Sequence, residues 1–311
     1  MLRYFMDVDK NLAKRVGGFL EHLEVEKNSS PLTIRNYKHY LEELIKFLSD
    51  EGRRSAGLDD ITMESVRKFR LELVRRQLKP VTQGYYVIAI RSFLRWLAKK
   101  DVSALAAEKL DVPKGKDKSL KFLNEKQINR LLNQPLTSTE KGLRDRVILE
   151  LFFSTGLRVS ELVALNRQQI DLKSREFGVI GKGGKARVVF ISKRVVPYLE
   201  RYLVRRRDKF KPLFVNFKKR SLTDDDKSVR LSARSVQRMV KAYVRQAKLP
   251  VKATPHTLRH SLATDLLRSG ADLRSVQEIL GHKNIASTQV YTHVTDVHLR
   301  AVHEKFHQGN K

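Results

Sequence analysis

The 311-residue chain has no cysteine, no long apolar run, and far fewer acidic than basic side chains. Without cysteine there is no disulfide scaffold, no thiolate zinc site and no cysteine nucleophile. The apolar stretches are short and charge-flanked, so no helix is expected to span a bilayer. Asp7 and Asp9 stand where a signal peptide would be apolar, which predicts a cytoplasmic protein. Acidic residues number 34 against 63 lysines and arginines, a formal net charge of +29. An excess of that size repels itself unless a polyanion is the partner, and nucleic acid is the commonest one. Hydrophobic residues make up 41%, enough for ordinary cores, and the length fits about two domains.

The charge is uneven. Residues 1–110 carry 21 basic and 15 acidic side chains, whereas residues 111–311 carry 42 and 19. Basic tails are usually low-complexity; here Arg67, Lys68, Arg70, Arg75 and Arg76 interleave with Val66, Phe69, Leu73 and Val74. Ser30-Pro31 opens a helix, with a serine cap and proline in the first turn, and Ile34, Tyr37, Leu41, Leu44 and Leu48 follow at helical spacing. Further helices are expected over residues 62–77 and 82–99 and, before Ser30, over residues 12–23. Together they predict a small N-terminal bundle over residues 1–110, with Trp96 and most other aromatics in its core.

Residues 111–119, DVPKGKDKS, have linker composition. Asn124 then caps a new helix and opens a larger, mostly helical domain over residues 120–311. Its exception is a hairpin: residues 177–180 and 188–191 are β-rich and flank Gly181-Lys182-Gly183-Gly184-Lys185. That GKGGK run is no nucleotide-binding loop, because Ala186 stands where a magnesium-binding hydroxyl belongs and no helix follows. By itself it is a glycine turn with solvated lysines.

Thr254-Pro255 starts another helix and puts His256 in its first turn, with Arg259 and His260 one turn on. His-x-x-x-His spacing is also that of a zinc helix, but Thr257 replaces the glutamate that would activate water, and no third ligand is evident. A histidine and an arginine at a helix N-terminus suit a phosphate better. In TGLRVSEL, Arg158 lies at a turn into a helix and Glu161 can orient it; alone this is a surface ion pair. Leu280-Gly281-His282 ends one helix at glycine, and Tyr291, taken alone, is a core aromatic.

Each piece is weak singly, but the order Arg158, Lys182, His256, Arg259, His282, Tyr291 is a constellation. With TGLRVSEL, GKGGKAR, TPHTLRHSLAT and LGHKNIASTQVYTHV it resembles the catalytic domain of the tyrosine recombinases, the phage-integrase family. TIRNYKHYL and its surroundings look like that family's core-binding domain, so the resemblance covers nearly the whole chain. YTHV and the compact length resemble the Xer-type enzymes.

The resemblance implies a mainly α fold: an N-terminal helical core-binding (SAM-like) bundle and a larger α-rich catalytic domain with a small β-hairpin. It implies a site-specific recombinase in which Tyr291 attacks a DNA phosphodiester, forming a 3′-phosphotyrosyl link and releasing a 5′-hydroxyl. Arg158 and Arg259 would stabilise the added charge, Lys182 would protonate the leaving oxygen, and His256 would serve as acid–base partner. His282 would hydrogen-bond the phosphate and Glu161 would orient Arg158. Two arginines, a lysine and two histidines can stand where nucleases use metal ions, so neither a metal ion nor ATP is expected. Arg35, Lys38, Arg67, Arg91, Arg95, Lys185, Arg205, Arg206, Arg207, Lys218, Lys219 and Arg220 are candidate DNA contacts, and equally candidate solvated surface. The expected partner is duplex DNA with an inverted-repeat site, bound by a homo-tetramer or a hetero-tetramer with a paralogous recombinase on two sites. An activating partner is compatible with this, and the amphipathic segment 297–306 would dock on a neighbouring protomer. The expected role is chromosome or plasmid dimer resolution at the nucleoid. The alternatives are integration of a mobile element, a type IB topoisomerase, and a DNA-binding regulator without chemistry.

Overall fold

The computed structural model describes residues 10–50, 56–113, 121–181, 184, 186–217 and 225–281. The chain divides into two compact units, residues 1–118 and 119–311. Among its described residues the first holds four α-helices: α1 (Lys10–Val25), α2 (Pro31–Asp50), α3 (Met63–Arg75) and α4 (Pro80–Ala98). Their starts follow from local chemistry. Ser30 Oγ accepts the Thr33 amide at 3.2 Å, and Thr62 and Ser65 cap α3 reciprocally, each side chain accepting the other's amide. α4 begins at Pro80, two residues earlier than the sequence reading, because proline is preorganised for the first turn. The core of this unit joins Leu12, Phe19, Leu41, Phe69, Tyr86 and Phe93 from all four helices. Trp96 stacks on Phe93 at its edge, with ring centroids 6.2 Å apart.

The second unit contains α5 (Glu125–Leu132), α6 (Glu140–Thr155), α7 (Val159–Ala164), strands β1 (Glu176–Ile180) and β2 (Ala186–Phe190), α8 (Val196–Arg205), α9 (Asp226–Val229), α10 (Ala233–Gln246), α11 (Pro255–Arg268) and α12 (Leu273–Leu280). The expected mainly helical fold with one small hairpin is what is found. β1 and β2 pair antiparallel, Glu176 opposite Phe190 through Ile180 opposite Ala186. The Gly184 amide donates to Gly181 O at 3.2 Å, closing the turn that separates them.

α6 is the central element. It packs against α8, α11 and α5, and it is buried on every side. Helical periodicity marks its apolar residues but not the charges buried with them. Arg146 donates to Glu150, Asn133 and the Leu132 carbonyl, and Arg194 closes on the other side of Glu150 at 3.0 Å. Arg144 is held by Asp145 and by Val215 O, and the Tyr243 hydroxyl donates to Asp145 at 3.0 Å. Buried charges persist when every donor and acceptor has a partner, as these do. The acidic run at 224–226 is likewise structural where described: Asp225 caps α9, and Asp226 accepts the Lys211 amide. Among the described residues no helix is long and apolar enough to cross a membrane.

Candidate active site

The site is built where three helix ends meet. α6 stops at Gly156, whose left-handed backbone (φ +61°) turns the chain toward Arg158. A Cβ at Gly156 would lie 2.7 Å from Leu280 Cδ2 and 3.1 Å from Leu262 Cδ2, so only glycine lets α6 end this close to α11 and α12. α12 stops at Gly281, also left-handed at φ +66°. α11 starts at Thr254, whose hydroxyl accepts the Thr257 amide, and Pro255 fills its first position.

Two arginines are fixed by these ends. Arg259, on α11, is 1% exposed and donates to Gly156 O at 2.6 Å and Leu280 O at 2.5 Å. Both carbonyls belong to helix C-termini, where the backbone dipoles favour a cation. Arg158, the residue before α7, donates through Nη2 to Gly281 O at 3.2 Å. Consecutive carbonyls of one helix end, at residues 280 and 281, therefore bind both guanidinium groups. Arg158 is oriented a second time by Glu161, which accepts its Nη1 at 2.8 Å and its backbone amide at 2.9 Å.

Glu161 also takes both terminal nitrogens of Arg187, on β2, at 2.9 Å each. Burial alone would raise its pKa, but the hydrogen bonds from Arg187 and Arg158 outweigh it and hold the carboxyl near 2. Glu161 is therefore an orienting anion and not an acid. His256, at the N-terminal turn of α11, has its pKa pushed below the usual value by partial burial and by the nearby Arg259 and Arg158 charges. Neutral imidazole is the form that can accept a proton. The His260 ring lies edge-on to it at 4.9 Å, and burial, with the neighbouring His256 and the Arg259 charge, lowers its pKa to about 4.

Arg158 and His256 face a groove of about 1100 Å³. Its lining also carries Lys241 and Arg245 of α10, then Lys248 and Lys252, all exposed. Among the described residues no group of three or more histidines, aspartates or glutamates could hold a metal ion.

Residues 121–298 match the family model "Phage integrase family", and residues 16–101 match "Phage integrase, N-terminal SAM-like domain". The chain belongs to the phage integrase family. It is 38% identical over 299 residues to the tyrosine recombinase XerC of Pelobacter propionicus, covering 95% of this chain and 96% of that one. Its likeness to Escherichia coli XerC is 37% over 298 residues, with 94% and 96% covered. Among solved structures, the XerA recombinase superposes with a TM-score of 0.51 at 26% identity, covering 95% and 98%. XerH bound to a palindromic difH substrate shares the fold, with a TM-score of 0.69 at 21% identity and 96% and 90% covered. This phage-integrase chain is thus an Xer-like tyrosine recombinase, an enzyme of site-specific recombination.

In this recombinase Arg158, Glu161, His256 and Arg259 come together, although 101 positions separate the first from the last. Lys182, Lys185, His282, Tyr291, residues 218–220 and the segment 297–306 lie outside the described residues. Of the candidate DNA contacts, Arg35, Arg67 and Arg207 are exposed and Arg91 is half-buried. Lys38 is exposed and 3.8 Å from Glu42, Arg95 is exposed against Glu108 at 3.1 Å, and Arg205 is exposed and donates to Ser138 O. Arg206 is a correction. It is 5% exposed, bound to Asp208 and to the carbonyls of Pro212 and Leu213, so it ties a loop and offers nothing to a phosphate. Two features escaped the sequence reading. Arg187 sits inside the GKGGKAR motif, but its carboxylate partner is 26 residues away. Lys241 and Arg245 are four apart on α10, a spacing that marks one helix face without saying what it faces.

Proposed function

We propose that this recombinase exchanges DNA strands through a 3′-phosphotyrosyl intermediate, with Tyr291 as nucleophile. The Tyr291 oxygen bonds to phosphorus as the bond to the 5′-oxygen breaks. His256 takes the tyrosine proton, Lys182 gives one to the departing 5′-oxygen, and His282 hydrogen-bonds the phosphate. Arg158 and Arg259 stabilise the negative charge that grows on the non-bridging oxygens as phosphorus becomes five-coordinate. Glu161 holds Arg158 in place. A second strand's 5′-hydroxyl then reverses the step and joins new partners, so the bond energy stays in the ester and no nucleotide is consumed.

The observation that carries this reading is the pairing of Arg158 and Arg259 on the consecutive carbonyls Gly281 O and Leu280 O, with neutral His256 beside them. In sequence, His282 is the residue after that helix end and Tyr291 comes nine residues after His282. The groove with Lys241, Arg245, Lys248 and Lys252 would seat duplex DNA. Arg35, Lys38, Arg67, Arg91, Arg95, Lys185, Arg205 and Arg207 are further candidate phosphate contacts. The working assembly is a tetramer on two inverted-repeat sites, of this chain alone or with a paralogous recombinase. Its role is resolving joined circular chromosomes or plasmids in the cytoplasm, at the nucleoid. The 37–38% identity to XerC chains over most of the length supports that role over mobile-element integration.

A nicked substrate that loses its 5′-hydroxyl fragment tests the chemistry, because cleavage then becomes irreversible. Wild-type protein should accumulate a covalent protein–DNA adduct; Tyr291→Phe should bind the same DNA and give none. An adduct of wild-type yield from Tyr291→Phe would overturn the assignment.

A further inference from the structure

A carboxylate that needs only to orient Arg158 has no use for a second arginine, yet Glu161 has one. Arg187 grips it fork to fork, with Nη1 on Oε1 and Nη2 on Oε2, both at 2.9 Å. The side chains are 11% and 4% exposed, so this is no solvated surface pair. Among the described residues the buried Nε of Arg187 has no hydrogen-bond partner, which leaves the carboxylate to orient the guanidinium. The other face of Arg187 lies on Gly281: a Cβ there would stand 2.8 Å from Arg187 Cδ and 3.1 Å from its Nε. Glycine at 281 thus serves twice, in ending α12 and in admitting this side chain.

The location of Arg187 gives the contact a purpose. It is the second residue of β2, opposite Val179, and the five-residue turn from Gly181 to Lys185 joins its strand to β1. The pair of strands is short, and its outer face is exposed at Ile180, Val188 and Phe190. Its inner face holds Val179, Val189 and Arg187. Of these, Arg187 reaches Glu161 and the Gly281 end of α12.

We propose that Arg187 is a positioning residue, a clasp that fixes the lysine-bearing hairpin to the Arg158–Glu161 pair and the Gly281 turn so that Lys182 reaches the leaving 5′-oxygen. This rests on the role given to Lys182 above. Arg187 touches no reacting atom; it acts by confining the strand that carries the proton donor, and misplaced donors lose rate steeply.

The test is single-turnover cleavage of two nicked substrates, one with an ordinary 5′-oxygen at the scissile bond and one with 5′-sulfur. Sulfur leaves without a proton, so it removes the need for Lys182. Arg187→Gln should cleave the oxygen substrate about ten- to a hundredfold slower than wild type while binding DNA within about threefold. The sulfur substrate should recover most of that loss, as it should for Lys182→Ala. Added to Lys182→Ala, Arg187→Gln should slow the oxygen substrate less than about threefold further, because both act through one proton. If Arg187→Gln does not fold, Arg187→Lys, which keeps the charge and loses the fork, should show the same pattern with a smaller loss. Rescue of Lys182→Ala without rescue of the Arg187 variants would overturn the clasp alone. No rescue of Lys182→Ala would instead remove the proton-donor role, and the clasp with it.

Discussion

Arg259 is the largest side chain among the described residues with under 2% exposure, a charged group held in the interior by the carbonyls that end α6 and α12. A cation there makes the surroundings hostile to another positive charge. His256 and His260 register this directly, both with lowered pKa values and both with Arg259 among the causes. For His260 the sign is definite. Its pKa is about 4 in the fold and near 6.5 when unfolded, so below pH 6.5 the unfolded chain binds more protons. Stability is full above pH 6.5 and is lost progressively as the pH falls toward 4, by an amount on the order of 2–3 kcal/mol. Glu161, near 2 in the fold, adds its own loss only below its ordinary value of 4.5. Urea unfolding at pH 7.5 and pH 4.5 should show that His260→Gln loses less stability across this interval than wild type. Equal losses in the two proteins would remove His260 as the source.

At the scale of elements, the site depends on helices that stop abruptly. Gly156 ends α6 in a conformation unfavourable to other residues, and its missing side chain leaves room for Leu280 and Leu262. Gly156→Ala should therefore destabilise the second unit by about 2–3 kcal/mol, adding left-handed strain to a clash in a packed core. Chemical denaturation checks this; a change within 0.5 kcal/mol, on the order of an ordinary surface substitution, would contradict it. These ends were legible in sequence. Thr254-Pro255 and Asn124 announce their helices, and glycine at 281 announces a stop, because capping is a local interaction among neighbours in sequence. What was illegible is non-local. Three consecutive arginines, Arg205 to Arg207, read as one basic surface, yet the middle one is buried on Asp208 because the chain after α8 folds back over it. Arg144, Asp145, Arg146 and Glu150 broke the apolar pattern of α6 without being exposed, since each finds its partner inside. Arg187 belongs to the GKGGKAR motif, but only the packing of β2 on α7 gives it Glu161.

At the scale of the molecule, the net charge of +29 is an upper limit on what faces DNA. Arg144, Arg146, Arg187 and Arg206 are turned inward onto carboxylates and carbonyls, and they hold loops and helix ends together. The remaining cations are those that can exchange counterions for phosphates, and the groove beside Arg158 and His256 concentrates several of them. Binding without chemistry would need only that groove; two arginines locked at a helix end, an orienting glutamate and a neutral histidine are the equipment of phosphoryl transfer. The most direct test is covalent trapping on the protein's own genome. The protein is incubated with sheared genomic DNA in EDTA, quenched with denaturant, and the attached DNA is sequenced. Adducts should map to a short inverted repeat and vanish with Tyr291→Phe. Adducts scattered over all fragments, or adducts that survive Tyr291→Phe, would contradict site-specific cleavage by Tyr291.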